Sequence, residues 1–282
     1  MTTPAELVAA SGLPRLEGEV LIAHALGAQR SWLTGHRHDP LASEQVGACE
    51  SLLARRRAGE PVAYLVGGRE FFGLDLRVTP AVLIPRPETE LLVELALAEL
   101  ARVPHQRTPR VLDLATGSGA VAIAIAVHAP RAQVFASDLS PQALAIAVDN
   151  AARHRARVDL RQGDWFAPFA GERFALVVAN PPYVAAADPH LAQGDLVHEP
   201  RLALVAGADG LEAIRAIVAQ AGAYLEESGL LLLEHGHEQG EACRALLHSA
   251  GLAEVSTWCD AAGHERVSGG RWGNVGGPAA RR

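Results

Sequence analysis

The sequence has no excess of basic residues. Lys and Arg together number 25 against 32 Asp and Glu, which gives the 282-residue chain a net charge of -7. Non-specific binding to nucleic acid requires a dense field of Lys and Arg that neutralises phosphates. The composition therefore argues against a protein that binds nucleic acid directly, although it leaves a local basic patch open.

Cysteines and long apolar runs are also scarce. Cys49, Cys243 and Cys259 are odd in number, widely spaced and match no metal-ligand pattern, so we expect reduced thiols and no metal site. Residues 1–12 lack the basic start and apolar stretch of a signal peptide, and no apolar run is long enough to cross a membrane. These absences predict a cytoplasmic protein that does not associate with membranes, and we expect a monomer.

Two folded units fit the length and the pattern of the chain. Hydrophobic residues make up 49% and charged residues 20%, which is typical of a soluble globular protein. Residues 1–68 read as short helices, with apolar residues at helical spacing over 17–27 and a second helix that Ser43 is expected to cap. Residues 69–87 alternate apolar and polar residues and then become proline-rich, which predicts a hairpin or an extended linker.

Residues 88–272 alternate helices with short apolar runs, which predicts a mostly parallel sheet covered by helices on both faces. In such sheets, ligands bind beyond the carboxyl ends of the strands. The Gly, Pro, Ala and Arg residues of 273–282 predict a flexible tail. The expected strands are 110–114, 133–138, 158–162, 174–179, 229–234, 253–259 and 265–268, and the expected helices are 89–101, 120–128, 141–154, 211–227 and 240–249.

A glycine-rich turn follows the first of these strands. Asp113 lies in the strand just before the turn, and Asp138 ends the second strand, where a carboxylate is placed for a ribose diol. A carboxylate at Asp113 would repel a pyrophosphate but attract the ammonium and sulfonium groups of S-adenosylmethionine. The sequence therefore predicts S-adenosyl-L-methionine rather than a dinucleotide, bound at Ala115, Thr116, Gly117, Ser118 and Gly119.

A second candidate for cofactor contact follows the third strand. Asp164 could accept a hydrogen bond from an adenine amino group, and Trp165 or Phe166 could stack on the ring. The alternative is that these aromatic side chains simply pack under the sheet.

The sequence Asn180-Pro181-Pro182-Tyr183 follows the apolar run 174–179 directly. Consecutive prolines fix the backbone and remove two N–H donors, so the Asn180 side-chain oxygen and the Pro181 carbonyl can both accept from one planar NH2 group. Tyr183 offers a flat face on which an amide or a base can stack. Because an amide nitrogen is a poor nucleophile, two acceptors that orient it and stabilise developing positive charge would assist methyl transfer.

These motifs resemble the HemK/PrmC family of release factor glutamine methyltransferases over nearly the whole chain. The resemblance implies a Rossmann-like, seven-stranded class I methyltransferase domain whose last strand is antiparallel, preceded by a helical domain that recognises the partner and by a β-hairpin linker. Besides 180–183, the matching stretches are 68–72, 83–90, 163–166, 199–200 with 203–204, 231–236 and 265–267.

The resemblance also implies a substrate and roles for residues. The substrate is the glutamine of the Gly-Gly-Gln motif in class 1 peptide chain release factors, methylated on its side-chain nitrogen N5. Residues 115–119, Asp138, Trp165 and Asn180 would bind the cofactor, and residues 180–183 would hold the glutamine. Ala115 stands where the family usually has a glycine. We expect it to adopt a negative φ, with only slightly altered packing against the cofactor.

Two other functions remain open from the residues alone. An adenine-N6 DNA methyltransferase would present the same planar amino group to Asn180 and Tyr183, but it must flip a base and hold phosphates, and this acidic chain has no evident target-recognition domain. A non-catalytic binding module would show no methyl transfer, although both acids and the Asn180–Tyr183 motif are present.

Three further side chains have predicted roles outside the transfer itself. Arg86 either clamps a carboxylate or, as we favour, holds the linker. His235 and His237 are expected to be loop residues rather than metal ligands, and Glu234 to be a supporting group near the cofactor.

Overall fold

The computed structural model describes residues 1–273, so the predicted tail lies outside the described residues apart from Gly273. The chain forms two compact units. The first is Met1–Gly68 together with His190–His198, and the second is Arg69–Pro189 together with the chain from Glu199 onward. No helix of the described chain is long and apolar enough to cross a membrane.

The first unit is helical and has its own apolar core, built around Leu21, Ile22 and Cys49. The expectation that Ser43 caps a helix is wrong: Ser43 is the first helical residue, and the Ala42 N–H donates to the Gln45 side chain at 3.0 Å. The helices are α1 (Pro4–Ala10), α2 (Arg15–Ala25), α3 (Arg30–His36), α4 (Ser43–Arg57) and α5 (Val62–Val66).

The predicted hairpin is present in the linker. Strands β1 (Gly68–Phe71) and β2 (Leu74–Arg77) form a two-stranded sheet. Phe72 and Gly73 between them have φ values of 51° and 76°. Two successive left-handed residues fit the right-handed twist of a tight hairpin, which explains the short connection.

The second unit contains a seven-stranded sheet in the order β5-β4-β3-β6-β7-β9-β8, in which β9 runs antiparallel to both of its neighbours. This confirms the predicted Rossmann-like fold with an antiparallel last strand. The strands are β3 (Arg110–Leu114), β4 (Gln133–Asp138), β5 (Val158–Gln162), β6 (Phe174–Ala179), β7 (Leu225–Glu234), β8 (Ala253–Cys259) and β9 (Glu265–Arg271), and the helices are α6 (Glu90–Arg102), α7 (Ala120–His128), α8 (Pro141–Arg153), α9 (Glu212–Tyr224) and α10 (Gly240–Ser249).

Two strands extend beyond their predicted ends. β7 starts at Leu225, earlier than predicted, and Leu225 pairs with Phe174 before a shift of register. The residues that follow Leu225 are polar, so the apolar pattern did not indicate this first part of the strand. β9 continues through Gly269, a residue that weakens most strands. Here a side chain would not fit, because a Cβ at Gly269 would lie 2.4 Å from the Leu231 carbonyl oxygen.

Alternating side chains of the strands supply both layers of the core. In β6, Leu176 and Val178 pack in one apolar cluster with α6 and α7, whereas Val177 and Ala179 pack in the other with α9 and α10. Parallel strands buried on both faces are nearly continuous apolar runs, which is why these strands were predictable. The sheet is therefore a rigid platform whose carboxyl edge carries loops.

Asn150 in α8 joins this platform to the hairpin. Its Oδ1 accepts from the Arg77 N–H at 2.7 Å, and its Nδ2 donates to the Arg77 carbonyl at 3.0 Å and to the Ser118 carbonyl at 2.9 Å. The side chain is fully buried. One amide thus satisfies backbone groups of both the linker and the glycine-rich turn.

Replacing Asn150 with Ala is expected to destabilise the protein by roughly 2–4 kcal/mol, because one buried and two part-buried backbone groups lose their partner. Chemical denaturation followed by far-UV circular dichroism would measure this loss. Val148→Ala, a change on the exposed side of the same helix, is the control and should shift the free energy of unfolding by about 0.5 kcal/mol or less. Equal effects of the two changes would contradict the assignment.

Candidate active site

The candidate site lies where the strand order reverses. β3 pairs with β4 on one side and β6 on the other, so Leu114 lies beside Ser137 and beside Ala179. The residues that follow these three strand positions therefore leave the sheet side by side at its carboxyl edge. This is the topological switch point at which open α/β sheets bind ligands.

One cleft at this edge is lined by most of the residues predicted from sequence. The cleft walls also include Val82, Leu83 and Pro85 of the linker and Pro200, Leu202 and Ala203 from beyond β6. The predicted residues in the lining are Asp113, Ala115, Thr116, Gly117, Ser118, Asp138, Asp164, Trp165, Asn180 and Pro182.

Four candidates lie outside that lining. Gly119 is buried at the start of α7. Pro181 and Tyr183 belong to the same loop as Asn180 and Pro182 but do not line the cleft. Phe166 is fully buried and stacks on Tyr224 with ring centroids 4.5 Å apart. Of the two aromatic residues proposed to stack on a base, only Trp165 therefore faces the cleft.

Asp113 is buried and holds the glycine-rich turn to α7. Its Oδ2 accepts from the Thr116 hydroxyl at 2.6 Å and from the Ala122 N–H at 3.2 Å. The pKa of Asp113 is raised to about 7, mainly by burial and also by the nearby charge of Asp138, against the lowering effect of these hydrogen bonds. A cation in the cleft would favour the ionised form.

Asp138 holds two backbone segments at the end of β4. Its Oδ2 accepts from the Gly117 N–H and its Oδ1 from the Ser140 N–H, both at 2.8 Å. Burial raises the pKa of Asp138 against these hydrogen bonds. Each carboxylate oxygen has a further lone pair, which leaves the group able to accept from hydroxyl groups of a ligand.

The expectation that Ala115 adopts a negative φ is wrong, because its φ is 56°. The turn leaves β3 in the left-handed region, which costs a residue with a Cβ about 1–2 kcal/mol. The next residue, Thr116, holds the turn in this conformation, because its N–H donates to the Ser137 carbonyl of β4 at 3.0 Å. Ala115 is thus a strained residue in the wall of the cleft.

Asn180 begins the loop after β6. Its Nδ2 donates to the Thr89 hydroxyl at 3.1 Å, and its Oδ1 has no hydrogen-bond partner among residues 1–273. The loop is held from behind, since Gln239 Nε2 donates to the Tyr183 carbonyl at 3.0 Å. The Tyr183 hydroxyl donates to Glu234 Oε1 at 3.3 Å. An acceptor oxygen is therefore free at the cleft in a loop that other side chains immobilise.

Arg86 holds the linker rather than an external carboxylate. Its Nη2 contacts Glu199 Oε2 at 2.6 Å, and the other carboxylate oxygen of Glu199 accepts from the Ile84 N–H at 3.2 Å. This pair joins the linker wall of the cleft to the wall formed by residues 200–203.

His235 is occupied by structural hydrogen bonds. Its ring nitrogens contact the Gly236 carbonyl oxygen and the Ser268 hydroxyl, both at 2.8 Å. No group of three or more His, Cys, Asp or Glu side chains within the described chain could hold a metal ion.

Sequence reasoning missed four supporting residues: Thr89, Asn150, Glu199 and Gln239. Thr89 and Glu199 lie within stretches that carry the family resemblance, which is the signal that could have identified them. Asn150 and Gln239 sit in or beside helices of ordinary composition, and only the three-dimensional contacts distinguish them.

Comparisons with known proteins confirm the resemblance seen in the motifs. Residues 4–67 match the family described as PrmC N-terminal domain, and residues 89–208 match the family described as methyltransferase small domain. The release factor glutamine methyltransferase of Bordetella pertussis is 52% identical over 271 residues, covering 96% of this chain and 99% of the relative. That of Xylella fastidiosa is 49% identical over 274 residues, covering 96% and 98%.

A solved structure supports the fold alone. The T. thermophilus 16S rRNA N2 G1207 methyltransferase, in complex with AdoMet and guanosine, aligns with a TM-score of 0.55 at 18% identity over 73% of this chain and 50% of its own. The sequence relatives are far closer and extend over both units. On their identity and coverage, the chain belongs to the family of release factor glutamine methyltransferases.

Proposed function

We propose that this protein transfers the methyl group of S-adenosyl-L-methionine to the side-chain nitrogen N5 of the glutamine in the Gly-Gly-Gln motif of a class 1 peptide chain release factor. The observation that carries the proposal is the free Oδ1 of Asn180, held at the rim of a cleft that also contains Asp113 and Asp138. The relatives that share about half of this sequence are named for this activity.

The donor set of the cleft fits S-adenosylmethionine. Two carboxylates, an open glycine-rich turn and Trp165 match a ligand with a cationic end, a ribose and a flat base. Asp113 would attract the cationic end, Asp138 would accept from the ribose hydroxyls, and Asp164 with Trp165 would hold the adenine. When bound, the cofactor supplies an activated methyl group.

The Asn180–Tyr183 loop would position the substrate amide. Asn180 Oδ1 and the Pro181 carbonyl accept one N–H each, which fixes the nitrogen and stabilises the positive charge that develops on it. Tyr183 supports the amide plane and is itself anchored to Glu234. The proton released after transfer leaves to water, so no strong base or metal is required.

The partner of the reaction is a protein, and we propose that the helical unit Met1–Gly68 recognises its body. A release factor works with the translation machinery, so we place the activity in the cytoplasm, with the enzyme as a monomer and without direct contact to nucleic acid. The net charge of -7 supports this choice over DNA.

Incubation with labelled S-adenosylmethionine and a purified class 1 release factor tests the function. Label is expected on the native factor and not on its Gly-Gly-Gln to Gly-Gly-Ala variant or on duplex DNA. Label on DNA would favour the adenine-N6 methyltransferase. Cofactor binding without label on any substrate would indicate a non-catalytic module.

Asn180→Ala is expected to lower kcat roughly a hundredfold, because the acceptor that stabilises charge on the amide nitrogen is lost. Cofactor affinity, measured by isothermal titration calorimetry, should change much less. Asn180→Asp serves as the control that keeps an oxygen acceptor but loses the donor to Thr89. Equal losses of turnover and cofactor affinity in Asn180→Ala would show that Asn180 acts mainly in cofactor binding.

Ala115→Gly is expected to raise the free energy of unfolding by up to about 1 kcal/mol, since glycine relieves the left-handed strain but gains freedom in the unfolded chain. Cofactor affinity should be kept or improved. Ala115→Val should lower both stability and affinity, because a β-branched side chain fits φ of 56° poorly. Ala187→Gly, in an exposed turn with no positive φ, is the control and should not stabilise the protein.

A further inference from the structure

We propose that Ser137 is a positioning residue for the cofactor: its hydroxyl holds the left-handed backbone of Trp165, so that the indole ring stays in the wall of the cleft. Ser137 does not line the cleft itself and acts through Trp165, which does. The proposal rests on the proposed binding of S-adenosyl-L-methionine and adds a residue that the motifs did not indicate. It is carried by the hydrogen bonds of Ser137 and by the backbone conformation of Trp165.

Two residues in the wall of the cleft have a backbone conformation that a side chain disfavours. Six non-glycine residues within 1–273 have a positive φ, and of these Ala115, at 56°, and Trp165, at 43°, line the cleft. A residue with a Cβ persists in the left-handed region only where its surroundings hold it there, and such residues cluster at functional sites. The contacts of Trp165 must therefore explain why it keeps this conformation.

The carbonyl group of Trp165 lies at a gap in the hydrogen bonds of its turn. The carbonyl groups of residues 164 and 166, on either side, accept from N–H groups three residues later in the chain, at 2.9 and 2.8 Å. The corresponding donor for Trp165 would be residue 168, which is Pro168 and has no N–H. A carbonyl group in this position needs a donor from elsewhere in the fold.

The Ser137 hydroxyl supplies that donor. Its Oγ donates to the Trp165 carbonyl oxygen at 2.8 Å, and Ser137 is 1% exposed. The backbone carbonyl of the same residue accepts from the Thr116 N–H at 3.0 Å, in the turn that contains Ala115. Ser137 thus holds both strained segments of the cleft wall, one through its backbone and one through its side chain. Only the contact with Trp165 depends on which amino acid stands at position 137.

Strand β4 gives the Ser137 hydroxyl a fixed position. Ser137 is paired with β3 on one side and with β5 on the other. The loop of Trp165 is also held at its beginning, because the backbone carbonyl of Asp138 accepts from the Gly163 N–H at 3.0 Å. Two successive residues of one strand therefore hold the loop, and the hydroxyl is the contact nearest to the indole ring.

Loss of the hydroxyl would leave the Trp165 carbonyl without its donor and allow the backbone to leave the left-handed region. The indole ring would then no longer be held in the wall, and the flat base of the cofactor would lose a surface on which to stack. Asp113 and Asn180 keep their own hydrogen bonds, so the methyl group should be transferred normally once the cofactor is bound. The hydroxyl therefore determines cofactor affinity and not the rate of transfer.

Titration with S-adenosylmethionine in the absence of a protein substrate tests this role. Ser137→Ala is expected to raise the cofactor Kd, measured by isothermal titration calorimetry, by roughly three- to tenfold, the effect of one hydrogen bond. At saturating cofactor and release factor, kcat should stay close to the wild-type value. Ser137→Thr keeps the hydroxyl and should restore the wild-type Kd.

Ser268→Ala is the matched control, because it makes the same chemical change at a buried serine of the same sheet that does not line the cleft. The Ser268 hydroxyl contacts His235 and Thr257, both at 2.8 Å. Its loss should lower the thermal stability and leave the cofactor Kd unchanged. A loss of affinity in Ser137→Ala alone would therefore not be a general effect of removing a buried hydroxyl from the sheet.

A double-mutant cycle with Trp165→Ala shows whether Ser137 acts through the indole ring. Trp165→Ala alone should weaken cofactor binding, and Ser137→Ala should then have little further effect on the Kd, because the group that it positions is absent. An equal loss of affinity from Ser137→Ala with and without the indole ring would overturn the proposal.

A Ser137→Ala protein with the wild-type cofactor Kd would also overturn it. If that variant fails to fold, Ser137→Val and Ser137→Thr decide, since their side chains are similar in shape and differ in the hydroxyl, and equal Kd values would contradict the role. The Kd comparison needs no release factor. Failure of methyl transfer to that factor would thus refute the proposed substrate alone, whereas a wild type that does not bind S-adenosylmethionine would overturn both proposals.

Discussion

Parallel pairing of β3 with both β4 and β6 is the constraint on which the site depends. This register places the ends of three strands side by side, so a cofactor turn, a ribose-binding acid and an acceptor loop meet without any long excursion of the chain. The apolar strands that make the pairing possible are buried on both faces. The position of the candidate site at the carboxyl edge of the sheet therefore depends on the apolar packing of its central strands.

The loops at that edge are held by single buried or half-buried polar side chains rather than by regular structure. Asp113 and Asn150 hold the glycine-rich turn, Gln239 holds the Tyr183 carbonyl, and Glu199 holds the linker. Each satisfies backbone groups that no strand or helix can reach, as buried backbone requires. A loop fixed in this way keeps its acceptors at constant positions before a substrate arrives.

Apolar periodicity located the strands and helices well, because each strand of the sheet core is a compact apolar run in the sequence. It failed at Gly269, where close backbone approach replaces side-chain packing. The negative φ expected of Ala115 came from the usual preference of alanine, and it was wrong because the hydrogen bond from Thr116 to β4 fixes the turn instead. Motif reading found Asn180 and both acids. The partners behind them, such as Thr89 and Glu234, come from distant parts of the chain, and no local pattern joins them.

The first unit is discontinuous in the sequence, since His190–His198 belongs to it although four strands of the sheet intervene. Arg56 forms one ion pair with Glu17 at 2.7 Å and a second with Asp195 at 3.0 Å, and Asp195 lies in that later segment. During synthesis from the N-terminus, the five helices emerge early, but their unit is complete only after β3 to β6 have been translated. A fragment that ends at residue 68 would consequently lack the segment His190–His198 of the first unit, although it contains all of residues 4–67 that match the N-terminal domain family.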